Sequence, residues 1–439
     1  MRILLIDTMA GFLDFSLRAE AQGHEIRWFN PWTGPDGVIN TGRGLINRVK
    51  DWRSSMRWAD LILLADNAKY LRDLEPYRQQ GYPIFGCNVA CRDWELIRDV
   101  GQQVMEDAGI TCLTSIRFDN YDDGIAYVKS RPTERLVCKP IGDAPKDLSY
   151  VSKSSQDLIF MLQHWKRHLS KPYPYIFQTF SPGIEMAVGA WCGPNGFTSF
   201  CLENFEFKKL MNDEKGVNTG EMGTVMKYCH FSESRLAQQM LLPVEAALIR
   251  NGYTGYIDVS VIIDKQGQPN PMEFTCRPGW PLFQIQQVLH PDTADWMKDL
   301  LNGRDTFAPH TDIALGVVVA IPDFPYGKIK AENCCNFPVW GITPKNRYWI
   351  HPLEMQAGKA PVLEDGKLTE KSALVTAGSY VLVVSGAGDT VRQAKDAAYS
   401  HLSELEIPNS PMYRTDIGAR LEGQLAELQS LGYATTWKW

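Results

Sequence analysis

No stretch of the sequence approaches the roughly 20 apolar residues that a membrane-spanning helix requires. The opening run Met1-Arg2-Ile3-Leu4-Leu5-Ile6 is cut short by Asp7, so it reads as a first strand rather than a secretory leader, and a cytoplasmic protein is expected. Cysteine lacks a pattern. Of the ten, neither Cys334 with Cys335 nor Cys87 with Cys91 is followed by a second cluster, which argues against a zinc site or a disulfide framework and leaves reduced, mostly buried thiols. A surplus of basic residues is missing as well: 45 Lys and Arg stand against 51 Asp and Glu, for a net charge of −6. That balance argues against a binder of polymeric nucleic acid or of an anionic membrane surface and favours small anionic or zwitterionic ligands. After the first strand, Asp7-Thr8-Met9-Ala10-Gly11-Phe12 holds a single Gly, so the phosphate-cradling turn of a dinucleotide-binding fold is absent and nicotinamide and flavin enzymes are discounted. Internal repeats and low-complexity tracts are lacking.

What is present is a long chain with ordinary core-forming content. Its 439 residues are 44% hydrophobic, enough for two to four globular domains. Strands over 2–6, 25–29, 61–64 and 83–85, with a helix over 13–21, predict an alternating β/α unit. The spacing by four of Leu96, Val100, Val104 and Ala108 predicts one amphipathic helix over 94–108. A strand over 135–140 that carries Lys139 near its end, a helix over 154–168, a strand over 175–180, a hairpin of 186–192 with 197–202 and a long helix over 233–251 follow. Beyond Asp305-Thr306-Phe307-Ala308-Pro309 the pattern changes to strands over 315–321 and 373–385 and a helix over 390–405, a smaller α+β unit within an α/β chain.

The most telling stretch is Pro271-Met272-Glu273-Phe274-Thr275-Cys276-Arg277-Pro278-Gly279. The run 256–263 alternates and is β-branched, Asp264-Lys265-Gln266-Gly267 reads as a turn, and 271–275 returns as a second strand. A period of two puts Glu273 and Thr275 on one face, and likewise Asp258 and Ser260 on the outgoing strand. Hard cations take oxygen ligands, and magnesium uses only one or two protein carboxylates while phosphates and water complete its shell. A carboxylate delivered beside the Arg277 guanidinium therefore suits a magnesium-nucleotide site. The residues of this stretch alone leave open a solvated surface hairpin.

In this order the segments resemble the phosphoribosylamine–glycine ligases, ATP-grasp enzymes of purine synthesis, over nearly the whole chain. The resemblance is carried by Asn218-Thr219-Gly220-Glu221-Met222-Gly223, similar to that family's Asn-Thr-Gly-Gly-Met-Gly loop, by the hairpin 263–277, and by Arg414-Thr415-Asp416-Ile417-Gly418. Tyr253-Thr254-Gly255-Tyr256, Leu315-Gly316-Val317-Val318-Val319 and Ile84-Phe85-Gly86 support it. It implies an amino-terminal Rossmann-like (pre-ATP-grasp) domain over 1–112, a small ATP-grasp lobe over 113–190, a large lobe with the metal hairpin over 191–309 and a carboxy-terminal α+β domain over 310–439. It also implies ATP and Mg2+, phosphorylation of a small carboxylate, and attack of an amine on the acyl phosphate, in a monomer or homodimer. In its light Arg98 and Lys139 contact nucleotide phosphates, and Lys146 lies in the loop that covers them. Gln178-Thr179-Phe180 becomes the hinge that meets adenine, and Glu185 the acceptor for ribose hydroxyls. Lys208 and Lys209 face the transferred phosphoryl group, and Arg277 holds the substrate carboxylate or acyl phosphate as a bidentate fork. Asn218, Thr219, Gly220, Met222, Gly223, Trp280 and Gln284 bind substrate; Glu273, Thr275 and Asp258 hold the metal.

Four departures qualify what the resemblance implies. The family's Gly-Asn-Gly-Gly-Arg-Glu-His phosphate loop is replaced by Asp7-Thr8-Met9-Ala10-Gly11-Phe12-Leu13, in which Asp7 would repel a phosphate. Trp280 and Leu282 stand where the family has two carboxylates, the loop 142–149 has gained Pro145 and two Asp, and Thr275 replaces an Asn ligand. The first two changes predict an amine acceptor other than phosphoribosylamine, conceivably a modified nucleoside or nucleotide. Alternatives are an orthodox phosphoribosylamine–glycine ligase, with Arg18 or Arg43 reaching the phosphate, and a nucleotide-binding module whose catalysis is slow or lost.

Overall fold

The computed structural model describes residues 1–35, 37–38, 40–141, 148–326 and 329–439. The β/α alternation at the amino terminus forms a four-stranded parallel sheet in the order Glu25–Phe29, Arg2–Ile6, Leu61–Leu64, Ile84–Phe85. Its strands read as near-continuous apolar runs because both faces are covered, and Ile3, Leu4 and Leu5 are fully buried.

The single helix expected over 94–108 is two, Val89–Leu96 and Arg98–Asp107, broken at Ile97, whose backbone is extended. The buried stripe of the second helix is Gly101 and Met105, while Val100 is exposed. A close approach causes this: a Cβ on residue 101 would sit 2.3 Å from the Trp94 carbonyl oxygen, so only glycine lets the two helices meet there.

Next comes an antiparallel sheet ordered Ser115–Phe118, Tyr175–Thr179, Leu136–Pro140, Tyr150–Val151. Leu136, Cys138, Tyr175 and Phe177 turn to one face, where helices Tyr121–Ser130 and Ser155–His168 close a core of their own. Strand alternation sends Val137, Lys139, Ile176 and Gln178 to the other face, and Ile176 and Gln178 line a cleft whose opposite wall includes Pro271 and Glu273.

The large sheet has eight strands, ordered Pro269–Thr275, Gly255–Asp264, Gly183–Gly193, Gly196–Glu206, Gly223–His230, Ile313–Ala320, Tyr380–Gly388, Ile350–Pro352. Strand Ile313–Ala320 pairs directly with Gly223–His230, so the carboxy-terminal strands continue the sheet that carries the cleft. The helix expected over 233–251 is interrupted into Arg235–Met240 and Leu242–Arg250, because Pro243 cannot donate within a helix and is accommodated only in the first turn of a new one. The strand expected over 373–385 is likewise two, Lys367–Ala377 and Tyr380–Gly388. The first pairs with Met355–Glu364 in a long hairpin that the sequence pattern did not reveal. Eight of the ten cysteines are buried.

A buried polar bolt ties the amino-terminal unit to this sheet. His351 Nδ1 meets Asp14 Oδ2 at 2.7 Å and its Nε2 meets Ser385 Oγ at 2.8 Å, while Arg18 lies 3.0 Å from Asp14. Burial works against ionisation of Asp14, yet Arg18 and His351 hold its carboxyl below the usual range. Ser385, His351 and Asp14 are in triad order, but at 0%, 0% and 3% exposure none can reach a substrate, so the arrangement is structural. His351→Ala is expected to cost about 2–4 kcal/mol by leaving a cavity and removing two buried hydrogen bonds, while Arg18 still pairs Asp14. The check is a lower urea midpoint with unchanged affinity for a magnesium-bound, non-hydrolysable ATP analogue.

Candidate active site

One face of the large sheet collects the polar side chains. The alternation predicted each pair separately, Glu273 with Thr275 and Asp258 with Ser260, and the register Asp258↔Thr275 and Ser260↔Glu273 puts both pairs on a common face. Glu273 Oε2 lies 2.8 Å from Arg98 Nη1, which the start of the helix Arg98–Asp107 projects into the cleft. Lys208 Nζ lies between two carboxylates, 2.7 Å from Glu185 Oε1 and 2.8 Å from Glu206 Oε2. Desolvation opposes a charge on Glu273, but Arg98, Lys208 and Lys139 together keep its carboxyl below the usual range. Glu185 is held low against burial in the same way, chiefly by Lys208.

Lys139 is 7% exposed, and burial, reinforced by Arg98, lowers its ammonium to about 8. This has a testable consequence. A bound phosphate favours the protonated lysine, so affinity for a magnesium-bound ATP analogue should be level below pH 7 and fall by up to about tenfold per pH unit once the free lysine titrates above 8. Calorimetric Kd values from pH 6.5 to 9.5 check this, and Lys139→Met should flatten the profile.

The other residues singled out in the sequence are placed as follows. Asp258 is buried against Asn204 Nδ2 and the Tyr256 hydroxyl, each 3.4 Å away, and burial with Glu206 nearby raises it to about 8. Asp258 would therefore have to lose a proton to serve as a metal ligand. Arg277 is held by Glu95, with Nη2 3.1 Å from Oε1, while the amide of Cys276 donates to Glu95 Oε2 at 2.7 Å. Gln178 donates to Ser115 Oγ at 2.8 Å, and Thr179 donates to Glu134 at 2.9 Å. The amide of Phe180 is committed to the carbonyl of Arg135, so that hinge donor is not offered to a ligand. Lys209 begins a small hairpin, Lys209–Met211 with Lys215–Asn218, whereas the cations acting on Glu273 are Arg98, Lys208 and Lys139. Lys146 lies outside the described residues.

The Asn218–Gly223 loop is anchored at both ends. Thr219 donates through its amide and its hydroxyl to the Lys208 carbonyl at 2.8 Å, and Met222 bridges Phe207 and Val318 by backbone hydrogen bonds. Gly220 faces open space, but a Cβ on residue 223 would meet the Gly316 carbonyl oxygen at 2.6 Å. Arg414, 1% exposed, fixes the hairpin by pairing with Glu214 and Asp416 at 2.8 Å and donating to the Lys209 carbonyl. The carboxy-terminal motif thus positions the loop.

The amino-terminal turn differs from its expected role. Asp7 is fully buried and accepts from the amides of Met9 (3.0 Å) and Phe12 (2.8 Å) and from the Trp28 indole (3.2 Å). Asp7 does not face a ligand as a repelling charge; it occupies the backbone donors that a phosphate would need. Arg18 is held by Asp14 and the Tyr348 carbonyl. Gln284 Nε2 donates to the Gly11 carbonyl at 2.7 Å, and the Trp280 ring lies 3.7 Å from the Cβ position of Gly11.

Sequence reasoning missed Glu206 and Glu95. Glu206 had a signal, since two positions from Lys208 on extended backbone it shares that lysine's face. Nothing local links Glu95 to Arg277, 182 positions away.

Residues 98–282 match Phosphoribosylglycinamide synthetase, ATP-grasp (A) domain, and residues 341–420 match Phosphoribosylglycinamide synthetase, C domain. A phosphoribosylamine–glycine ligase of Neisseria meningitidis serogroup A is 31% identical over 364 residues, covering 78% of this chain and 80% of its own. One from Streptococcus pneumoniae is 24% identical over 407 residues, 88% and 92% of the two chains. Among solved structures, the phosphoribosylamine–glycine ligase of Thermotoga maritima superimposes with a TM-score of 0.73 at 17% identity, covering 95% of this chain and 100% of that one. The biotin carboxylase domain of Hydrogenobacter thermophilus 2-oxoglutarate carboxylase, a complex with MgADP, gives 0.59 at 10% identity, covering 94% and 91%. The chain belongs to the phosphoribosylamine–glycine ligase family of ATP-grasp carbon–nitrogen ligases.

Proposed function

We propose that this chain joins the carboxylate of glycine to phosphoribosylamine, using ATP and Mg2+. The carboxylate–amine ligase class follows from family membership. The choice of substrates rests on the relatives, which are phosphoribosylamine–glycine ligases and favour this pair over the changed acceptor expected from the sequence. The observation that carries the chemistry is the set of Arg98, Lys139 and Lys208 around Glu273. The donor set suits a magnesium nucleotide, because Glu273 offers a half-exposed carboxylate beside cations that would meet phosphates. Magnesium, when bound, would neutralise phosphate charge at Glu273. In this reading Lys139 and Arg98 orient the phosphates, and Lys208 lies where negative charge grows on the transferred group. A carboxylate oxygen of glycine bonds to the γ-phosphorus as the bond to ADP breaks. The amine nitrogen then displaces phosphate from the acyl carbon and loses a proton.

One observation favours a second reading, a different amine. The turn that would take the sugar phosphate has its Met9 and Phe12 amides held by Asp7, and Arg18 is held by Asp14. Mixing the purified chain with MgATP, glycine and freshly generated phosphoribosylamine decides between them. Glycinamide ribonucleotide formed with stoichiometric ADP supports the first reading. Glycine-dependent ADP release only with other amines supports the second, and no ADP release with any amine leaves a binding module.

A further inference from the structure

The scattered cysteines argue against a zinc framework, yet one set of ligands in the fold needs no cysteine. His24 is 9% exposed, and its Nδ1 is shielded from solvent and has no hydrogen-bond partner among the described residues. A ring nitrogen of His24 and one carboxylate oxygen each from Asp292 and Asp295 all lie within 4.8 Å of one another. Among the described residues no other His, Cys, Asp and Glu side chains converge so closely in a group of three. Buried polar groups nearly always find a partner, so an imidazole with an unpartnered nitrogen beside two carboxylates calls for a ligand that joins all three.

Local structure fixes both sides of this set. Helix Leu13–Ala21 is closed by Gly23, at a φ of +87° that suits glycine, with the Gly23 amide donating to the Glu20 carbonyl and the His24 amide to the Ala19 carbonyl, each at 3.0 Å. Across the junction, Asp292 Oδ1 accepts from the amides of Ala294 at 2.9 Å and Asp295 at 3.0 Å, a turn that leads into helix Asp295–Leu301. Gln22 clasps the two sides together. Its Oε1 accepts from the Thr293 amide at 2.9 Å, and its Nε2 donates to the Pro291 carbonyl at 3.3 Å. Ligands held on a preset backbone lower the ordering cost of binding, and Asp295, which is exposed, leaves the set open to an ion from solvent.

We propose that His24, Asp292 and Asp295 bind a zinc ion that fastens the amino-terminal unit to the lobe carrying the cleft. One imidazole nitrogen with two carboxylates suits zinc, whereas magnesium and calcium take oxygen ligands. Zinc stands about 2.0–2.2 Å from such ligands, so two of them on one ion are roughly 3.4 Å apart, and a small rotation of the exposed Asp295 side chain closes the set. Water completes the tetrahedron on the solvent side. Because the ligands come from two parts of the chain that meet only in the folded protein, binding of the ion adds to the stability of that junction.

Zinc itself is the probe. The metal-stripped full chain is titrated with zinc in excess magnesium, so that oxygen-only sites are already filled. Calorimetry should give one tight equivalent, and zinc should raise the melting temperature. His24→Gln and Asp295→Ala should each weaken that equivalent by about tenfold or more and abolish the rise in melting temperature. The rival zinc site is an exposed pair, His164 and His168 on helix Ser155–His168, whose rings are 4.5 Å apart. His168→Gln should leave the tight equivalent unchanged. Unaltered binding of a magnesium-bound, non-hydrolysable ATP analogue certifies the fold of each variant, and if the buried His24→Gln fails to fold, the exposed Asp295→Ala decides alone. The proposal is overturned if the parent binds no tight equivalent, or if that equivalent persists in a folded His24→Gln or in Asp295→Ala. Loss in His168→Gln alone also overturns it, and marks an adventitious ion on that helix.

Discussion

Glu273→Gln is expected to lower glycine-dependent ADP release by about 10²- to 10³-fold or more, the cost of removing one preorganised electrostatic group from a phosphoryl-transfer site. The substitution keeps the side chain's size and removes only its charge. Glu273 is the carboxylate on which Arg98, Lys208 and Lys139 act together. Without it those three cations face one another, so phosphates alone should bind at least as well as in the parent. The expected signature is therefore a split: kcat collapses, the Kd for a magnesium-free ATP analogue holds or improves, and the magnesium requirement rises. Circular dichroism should be unchanged, because the carboxylate packs against no core residue that the amide would disturb. Turnover near the parental level would move the metal site away from this hairpin.

The hairpin was legible because it depends on local rules. Alternation gave the pairing of Glu273 with Thr275 and of Asp258 with Ser260, and Asp264 closes the turn by accepting from the amides of Gln266 and Gln268. Strands of the parallel sheet were legible for the same reason, being short apolar runs between breakers. Legibility failed where long-range packing prevailed. The helix over 94–108 has a periodic apolar stripe, yet the approach of Gly101 to the Trp94 carbonyl turns a different face inward. Asp7 read as a repelling charge because a sequence does not say where a carboxylate points; in the fold it closes its own turn. The partners of Arg277 and Arg98 come from separate elements, and only the packing of helices Val89–Leu96 and Arg98–Asp107 against the hairpin brings Glu95 to one and Glu273 to the other.

Lys208→Met is the second large expected effect, and it tests whether one lysine serves both nucleotide and chemistry. Its ammonium bridges Glu185 and Glu206 at 2.7 and 2.8 Å, and although burial disfavours its charge, Glu206, Glu185 and Glu273 hold its pKa well above the usual lysine range. Lys208 is therefore cationic at any working pH. Removing it has two consequences. The transferred phosphoryl group loses a cation at the point of greatest negative charge, worth about 10²- to 10³-fold in kcat. Glu185, no longer held low by Lys208, should take up a proton more readily, and in the proposed reading it then accepts less well from the ribose hydroxyls. Kd for a magnesium-bound ATP analogue should thus rise several-fold, and the rise should lessen with increasing pH as Glu185 regains its charge. Lys208→Arg, which restores the cation, should recover nucleotide binding ahead of turnover. If Lys208→Met changes nucleotide affinity but leaves kcat within a few-fold of the parent, Lys208 only positions Glu185, and the cation that meets the transferred phosphate must be Lys139 or Arg98.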